Sequence, residues 1–324
     1  IIDRISSWQI PFVVVEEAKQ EIPPEDLNPG LPDLSVLPVI MAQKTRNFVS
    51  HHEGAVSVLH TIFEGLHSHE PFDFRLLTEL AAKVENHLTQ PAETINNMLF
   101  RMPSRVAPDY LAHHSVAVAA VSGMIVKWME LPAAAVTDIF LAGLLHDIGY
   151  TQMPRSLMAD DNPTPERQEL MKQHVVHGLK LLKGIAGIKQ DILAVVAQHH
   201  EALDGSGYPM GIGGDKMRPY AKIAAFADML CRTLEKNPST NPFILMEDIK
   251  AQMFSQLDPA VCDTFIRRFN DYLMNNPVKL NDGRRAKVVF VPSVNPTAPI
   301  LKTDDDEIID LTRKTDIKIE KVLF

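Results

Sequence analysis

The spacing of apolar residues changes character three times along the chain. Pro11-Phe12-Val13-Val14-Val15 is a short continuous apolar run that predicts a strand. Pro23, Pro24, Pro29 and Pro32 follow it and exclude a helix, because each lacks an amide N–H and fixes φ. From about Leu34 to about Leu99 apolar residues recur every three or four positions, with a break at Pro71-Phe72-Asp73. Within that stretch Leu76, Leu77, Leu80, Val84 and Leu88 predict one buried helical face. Met102-Pro103-Ser104 and Pro108 mark a second break. Beyond it the period predicts helices at roughly 109–130, 133–148, 165–183, 188–201, 218–236, 242–256 and 258–274, with starts supplied by Pro132 and Thr164-Pro165-Glu166. The long interruption at 202–217 carries Asp204-Gly205-Ser206-Gly207-Tyr208-Pro209-Met210-Gly211, which suits tight turns. After Pro277, Lys287-Val288-Val289-Phe290-Val291 and Ile317-Lys318-Ile319 predict short strands. The chain is therefore expected to be mainly α. It divides into an N-terminal helical or mixed module (1–100), an all-α domain (101–278) and a C-terminal extension with short strands (279–324).

Charge narrows the partners. Lys+Arg 32 against Asp+Glu 41 gives a net charge of −9, which argues against a binder of polymeric nucleic acid or anionic membranes. No apolar run approaches the roughly 18 residues of a membrane span, so none is expected. Cys231 and Cys262 cannot build a disulfide framework, and a reducing, cytoplasmic compartment is the expectation. Ile1-Ile2-Asp3-Arg4 has neither an initiator Met nor a signal-peptide pattern, which points to a start further upstream.

The 13 histidines carry the chemistry. His114, His146-Asp147, His174, His199-His200 and Asp228 fall on successive predicted helices, separated by 32, 27, 25 and 28 residues when each pair is counted from its last member. That is about one helix plus one connection, so each helix of a bundle can present a ligand inward. Imidazole nitrogens and carboxylate oxygens are the donors that borderline divalent cations prefer. A lone buried histidine is more often a hydrogen-bonded core residue, but seven such donors at regular spacing favour metal ligation. His146-Asp147 also ends the apolar run Leu141-Ala142-Gly143-Leu144-Leu145, and burying two polar groups there is costly unless a metal satisfies both.

His146-Asp147 and His199-His200-Glu201 with Asp204-Gly205-Ser206-Gly207-Tyr208-Pro209 resemble the HD-GYP subgroup of the HD metal-dependent phosphohydrolases. The resemblance extends to His114-Ser115, to Glu169 through His174 with Gly178, and to Ala227-Asp228, and covers roughly 105–275. It implies an HD-type all-α domain and hydrolysis of the bacterial second messenger cyclic di-GMP, to linear pGpG or GMP, by a hydroxide between two divalent metals. Iron or manganese is implied, with zinc or nickel possible. By resemblance Asp147 bridges the metals, His114, His146 and Asp228 complete one shell, and His174, His199 and His200 the other. Gly207, Tyr208 and Pro209 become candidate substrate contacts, with loop anchoring an equal alternative for Tyr208. Lys222 and Arg218 are candidate phosphate contacts, Lys222 also a catalytic one, and a solvated helix face is the alternative for Arg218.

Departures from the family pattern matter equally. The family commonly reads HD-x-G-K, whereas here His146-Asp147-Ile148-Gly149-Tyr150 puts a phenol in the lysine's place, a proton donor without positive charge. Three-metal members carry a Glu four residues before the first His, and Tyr110 stands there, which favours two metals. Cys231-Arg232-Thr233-Leu234-Glu235 also departs from the stretch that usually follows the final Asp. A catalytically weak receptor or scaffold that binds cyclic di-GMP and signals through protein partners is thus the alternative to an enzyme. An HD phosphohydrolase acting on another nucleotide is disfavoured by the Gly-Tyr-Pro loop. His51, His52, His60, His67 and His69 are expected on a solvent-facing helix, and His113 and His177 beside the ligands rather than among them. The N-terminal helices are a possible homodimer surface.

Overall fold

In the computed structural model, residues 37–91, 94–95, 107–157, 164–236, 241–292 and 295–323 are described; the strand expected at 11–15 and the proline-rich connector lie outside them. The chain divides into two units, Ile1–Arg46 and Asn47–Phe324, and the second holds the fold described here apart from the start of helix α1, which spans Leu37–His67. Its Phe48, Ala55, Val56, Leu59, Phe63 and Leu66 are buried, a stripe at helical spacing. Helix α2, Phe74–Leu88, starts where the Asp73 carboxylate accepts from the Arg75 N–H, and it buries Leu77, Leu80, Ala81, Val84 and Leu88. Leu76 departs from the expected face. It is 52% exposed, because one residue of helix turns it about 100° away from Leu77.

Two apolar helices form the centre. In α3, Tyr110–Trp128, almost every side chain is buried, and in α4, Ala133–Leu145, so are Ile139, Phe140, Ala142, Leu144 and Leu145. Gly143 lets them meet at backbone distance: a Cβ there would stand 2.5 Å from the Ala119 Cα. Within Ala133–Gln152 an 18-residue window reaches a mean hydropathy of 1.2, but 78% of that window is buried inside the protein, where it serves as core.

A 3-10 helix, Ile148–Gln152, follows α4. The helix expected at 165–183 is broken into α5, Pro165–Met171, and α6, His174–Leu182. α5 buries none of its residues and α6 buries His174, Val175, Gly178 and Leu182, so the turn between them re-aims the chain into the core. Then come α7, Gln190–Gln198, α8, Pro219–Lys236, α9, Pro242–Gln252, and α10, Pro259–Leu273. The C-terminal extension is richer in strand than its pattern indicates. β1 (Pro277–Leu280), β2 (Arg285–Phe290), β3 (Ile300–Thr303), β4 (Ile308–Asp310) and β5 (Ile319–Val322) form one antiparallel sheet in the order β4-β3-β2-β1-β5. Strands this short bury only one or two residues each, such as Val278 with Leu280 or Ile309, too few for a period to stand out.

Candidate metal centre

Five structural elements converge on one buried point. His114 lies in the second turn of α3; His146 and Asp147 end α4; His174 is the first residue of α6; His199 and His200 follow α7; Asp228 is mid-way along α8. The close approach of α6 depends on glycine: a Cβ on Gly149 would lie 1.8 Å from the His174 carbonyl oxygen and 2.6 Å from the Gly178 nitrogen.

The side chains form two sets that share Asp147. One joins Asp147 to His174, His199 and His200, the other to His114, His146 and Asp228, with the ligand atoms of each set within 4.8 Å of one another. Asp147 Oδ1 faces His174 Nε2 at 3.1 Å and His199 Nε2 at 3.4 Å, while its Oδ2 faces His146 Nε2 at 3.3 Å. Asp228 Oδ1 lies 2.8 Å from His114 Nε2 and 3.6 Å from His146 Nε2, and its Oδ2 lies 3.5 Å from His200 Nδ1. The carboxylate geometry therefore places one oxygen of Asp147 on each set.

These donors fit divalent cations, as the hydrogen bonds reveal. Backbone carbonyls accept from His146 Nδ1 (Gly143, 2.7 Å), His174 Nδ1 (Met171, 2.6 Å) and His199 Nδ1 (Val195, 3.1 Å). A carbonyl cannot donate, so each ring carries a proton on Nδ1 and aims Nε2 inward, the atom that ligates when it carries no proton. The Nε2 atoms of His174 and His199 face each other at 3.3 Å. His146 Nε2, Asp147 Oδ1 and His200 Nε2 are buried with no hydrogen-bond partner. Each such orphan costs on the order of 1–3 kcal/mol unless something satisfies it, and a cation satisfies several together.

Electrostatics keep the two carboxylates and His200 in ligating form, whereas, against the burial that would lower it, the Asp147 carboxylate pushes the His146 imidazole up to about 10, so a cation held there takes the place of a proton. Burial alone pushes the Asp147 and Asp228 carboxyls up, but His146, Arg232 and His174 around Asp147, and Arg232, His114 and His146 around Asp228, hold both well below the usual carboxylate range. Burial and the neighbouring His199 push His200 well below the ordinary imidazole value, so it stays neutral.

Two side chains from the stretch that follows Asp228 join the donor sets. Arg232 donates from Nε to Asp228 Oδ1 and Oδ2 (2.7 and 3.0 Å) and from Nη2 to Asp147 Oδ2 (2.8 Å). Its i+4 spacing from Asp228 was the available signal. Glu235, two turns beyond Asp228, accepts from His114 Nδ1 at 2.6 Å and from the Tyr110 hydroxyl at 2.5 Å. A carboxylate behind a ligating histidine fixes its tautomer and orientation, so Glu235→Ala is expected to weaken metal affinity by about 10–100-fold. Equilibrium dialysis with elemental analysis reads this, and unchanged affinity would remove Glu235 from the site.

Lys222 and Arg218, the expected phosphate contacts, pair with carboxylates outside the two donor sets. Lys222 Nζ pairs at 3.2 Å with Asp258, whose carboxylate caps α10. Arg218 is held outward by Asp191 at 3.5 Å and its side chain is 56% exposed. Lys222, six residues before Asp228, is carried by the helix to another face than its carboxylate, and Arg218 precedes the first residue of α8. The glycine-rich loop does reach the centre. Gly207 packs where a Cβ would lie 2.4 Å from the His200 carbonyl oxygen, and the Tyr208 N–H donates to that oxygen at 3.0 Å. The Tyr208 ring stacks on His200 with centroids 4.6 Å apart, and Pro209 follows it. Buried Glu201 accepts from the N–H groups of Met210 (2.7 Å) and Ile212 (3.0 Å), so this member of the His-His-Glu run anchors the loop. Tyr150 stacks on His174, centroids 4.2 Å apart and planes 6° from parallel.

The N-terminal histidines are not uniformly on a solvent face. His51 stacks on His87 at 3.8 Å, His52 is buried and lies 5.5 Å from His113, and the Thr151 carbonyl lies 3.0 Å from His67 Nδ1. They fill the contact between α1 and its neighbours, where an imidazole packs as an aromatic ring.

Comparison with known proteins places this geometry. Residues 75–260 match the HD domain family. The chain is 27% identical over 217 residues, 66% of its length, to a cyclic di-GMP phosphodiesterase of Pseudomonas aeruginosa. It is 33% identical over 197 residues, 58% of its length, to a cyclic di-GMP phosphodiesterase of Thermotoga maritima. In both cases the match covers 51% of the relative, so the chain spans about half the length of the curated relatives it matches. Its fold is similar to that of Bd1817, a HDG"Y"P protein from Bdellovibrio bacteriovorus, with a TM-score of 0.58, 17% identity, and coverage of 70% of this chain and 72% of that one.

Proposed function

The chain belongs to the HD domain family, and from that premise we propose that it is a metal-dependent phosphodiesterase that hydrolyses cyclic di-GMP to linear pGpG or GMP. The observation that carries the reading is the pair of buried donor sets joined through the two oxygens of Asp147. His174, His199 and His200 with Asp147 would hold one divalent ion, and His114, His146 and Asp228 with Asp147 the other, with iron or manganese implied by the family resemblance and zinc or nickel also accepted by these donors. When bound, such ions supply positive charge for phosphate oxygens and a water of lowered pKa.

The chain's own residues supply the rest. Tyr208, packed on His200 and pushed up in pKa by burial, keeps its hydroxyl protonated and available as a hydrogen-bond donor beside the substrate. Gly207 and Pro209 hold that ring in place. Tyr150 offers a second phenol near His174 as proton donor to the departing 3′ oxygen. Arg232, rather than Lys222 or Arg218, brings side-chain positive charge to the centre. Residues 101–278 form the catalytic domain, 1–100 a regulatory or dimerising module, and 279–324 an extension; the protein acts in the bacterial cytoplasm.

Incubating the manganese- or iron-loaded chain with cyclic di-GMP and separating the products by chromatography tests the proposal. Linear pGpG or GMP is expected, and no product from metal-replete protein sinks it. A receptor that binds the dinucleotide without turnover is the second reading. It is favoured by Tyr150, which brings no cation to the family's lysine position, and tight binding with no product selects it.

A further inference from the structure

Arg232 makes the two donor sets unequal. Its three hydrogen bonds all go to oxygens of one set, Asp228 Oδ1 and Oδ2 and Asp147 Oδ2. On the other side, among the described residues, no guanidinium or ammonium hydrogen-bonds to a ligand atom. There Asp147 Oδ1 and His200 Nε2 have no partner, and the Nε2 atoms of His174 and His199 face each other at 3.3 Å. One set thus has its carboxylates held by a cation of the chain itself, although His146 Nε2 there also lacks a partner, while the other set has no such cation.

Two buried carboxylates need a counter-charge, and a fork-shaped guanidinium can serve both at once. Arg232 sits one turn beyond Asp228 on α8, so the helix itself holds its head group over that carboxylate. An ion entering between His114, His146, Asp147 and Asp228 must take the same oxygens from Arg232 and meet its charge at close range. An ion entering between Asp147, His174, His199 and His200 has no guanidinium to displace.

We infer that Arg232 is an internal cation that orders metal loading: the set containing His174, His199 and His200 fills first, and the set containing His114, His146 and Asp228 fills only as the guanidinium gives way. The inference rests on the metal-binding part of the proposed function but not on turnover.

The test is a manganese titration of the full chain, stripped beforehand with chelator, followed by equilibrium dialysis with elemental analysis and by electron paramagnetic resonance. Wild type is expected to take one ion tightly and the second at least about tenfold more weakly, because a like charge at close range opposes it. Arg232→Gln is expected to tighten that weaker site by about tenfold or more, and to show the spin-coupled pair at lower manganese, since the opposing charge is gone. Stripped Arg232→Gln should also melt lower than wild type and gain more on manganese addition. Arg232→Lys, which keeps the charge but not the fork, is expected to fall between the two and decides the matter if the glutamine variant does not fold without metal.

Equal affinities for the two ions in wild type, or a second affinity unmoved by either substitution, overturns the inference. No manganese uptake at all overturns both it and the proposed function, whereas ordered uptake without hydrolysis overturns the phosphodiesterase alone.

Discussion

Asp147→Asn is expected to abolish the proposed turnover and to lower the metal content of the purified chain, from the two ions proposed to at most one. The substitution keeps the shape of the side chain but replaces an oxygen that faces one donor set by an NH2 that cannot ligate. It also removes the charge that both sets share and one of the two carboxylates that Arg232 bridges. Breaking a buried ion network at one member costs about 3–5 kcal/mol, so some loss of stability in the metal-free protein accompanies the loss of ligation. For kcat/KM the expected drop is about a thousandfold or more, which corresponds to about 4 kcal/mol of transition-state stabilisation. Elemental analysis alongside the chromatographic assay checks both parts. Two ions retained by the variant would remove Asp147 from its bridging place.

Gly149→Ala is expected to be the most damaging substitution outside the donor sets. The added Cβ has no room: the His174 carbonyl oxygen lies 1.8 Å from its ideal position and the Gly178 nitrogen 2.6 Å. Both neighbours are backbone atoms, so relief requires the 3-10 helix to move away from α6. Overpacking of this kind costs about 1–3 kcal/mol at ordinary core sites, and rigid backbone on both sides puts this one at or above the upper end. That movement separates Asp147 from His174, now 3.1 Å apart. A lowered melting temperature together with weaker metal binding is the expected pair of results. Gly54→Ala, with nothing within 4 Å of the added atom, serves as the control. A variant that melts like wild type and binds metal normally would show that the two helices part more easily than their packing indicates.

Much of the site was legible because its chemistry is local in sequence. His146-Asp147, His174, His199-His200 and Asp228 stand at helix ends or on helix faces, and an adjacent polar pair at the end of an apolar helix is visible without coordinates. The loop was equally visible, since Gly207 and Pro209 punctuate the chain wherever they fall. Lys222 and Arg218 show the limit of that approach. Both are cations near Asp228 in sequence, yet Asp258 and Asp191 draw them elsewhere, and those partners come from other elements. Arg232 and Glu235 lay within the stretch that departs from the family pattern. Helical spacing put each near Asp228, but only the packing of α8 against α3 and α4 shows that one meets Asp147 and the other His114. The break between α5 and α6 was hidden for a similar reason: residues 165–183 are compatible with one helix, and burial of His174 decides for two.

By itself the sequence determined the helical period, the helix starts at Pro132 and Thr164, the donor residues and the glycine-rich loop. Each of these depends on a residue and its near neighbours. Tertiary structure alone decided the rest: which oxygen of Asp147 faces which donors, which cation reaches the carboxylates, where the N-terminal histidines pack, and that five short strands join in one sheet. Those features depend on atoms brought together from distant parts of the chain, where distances of a few tenths of an ångström separate a hydrogen bond from none.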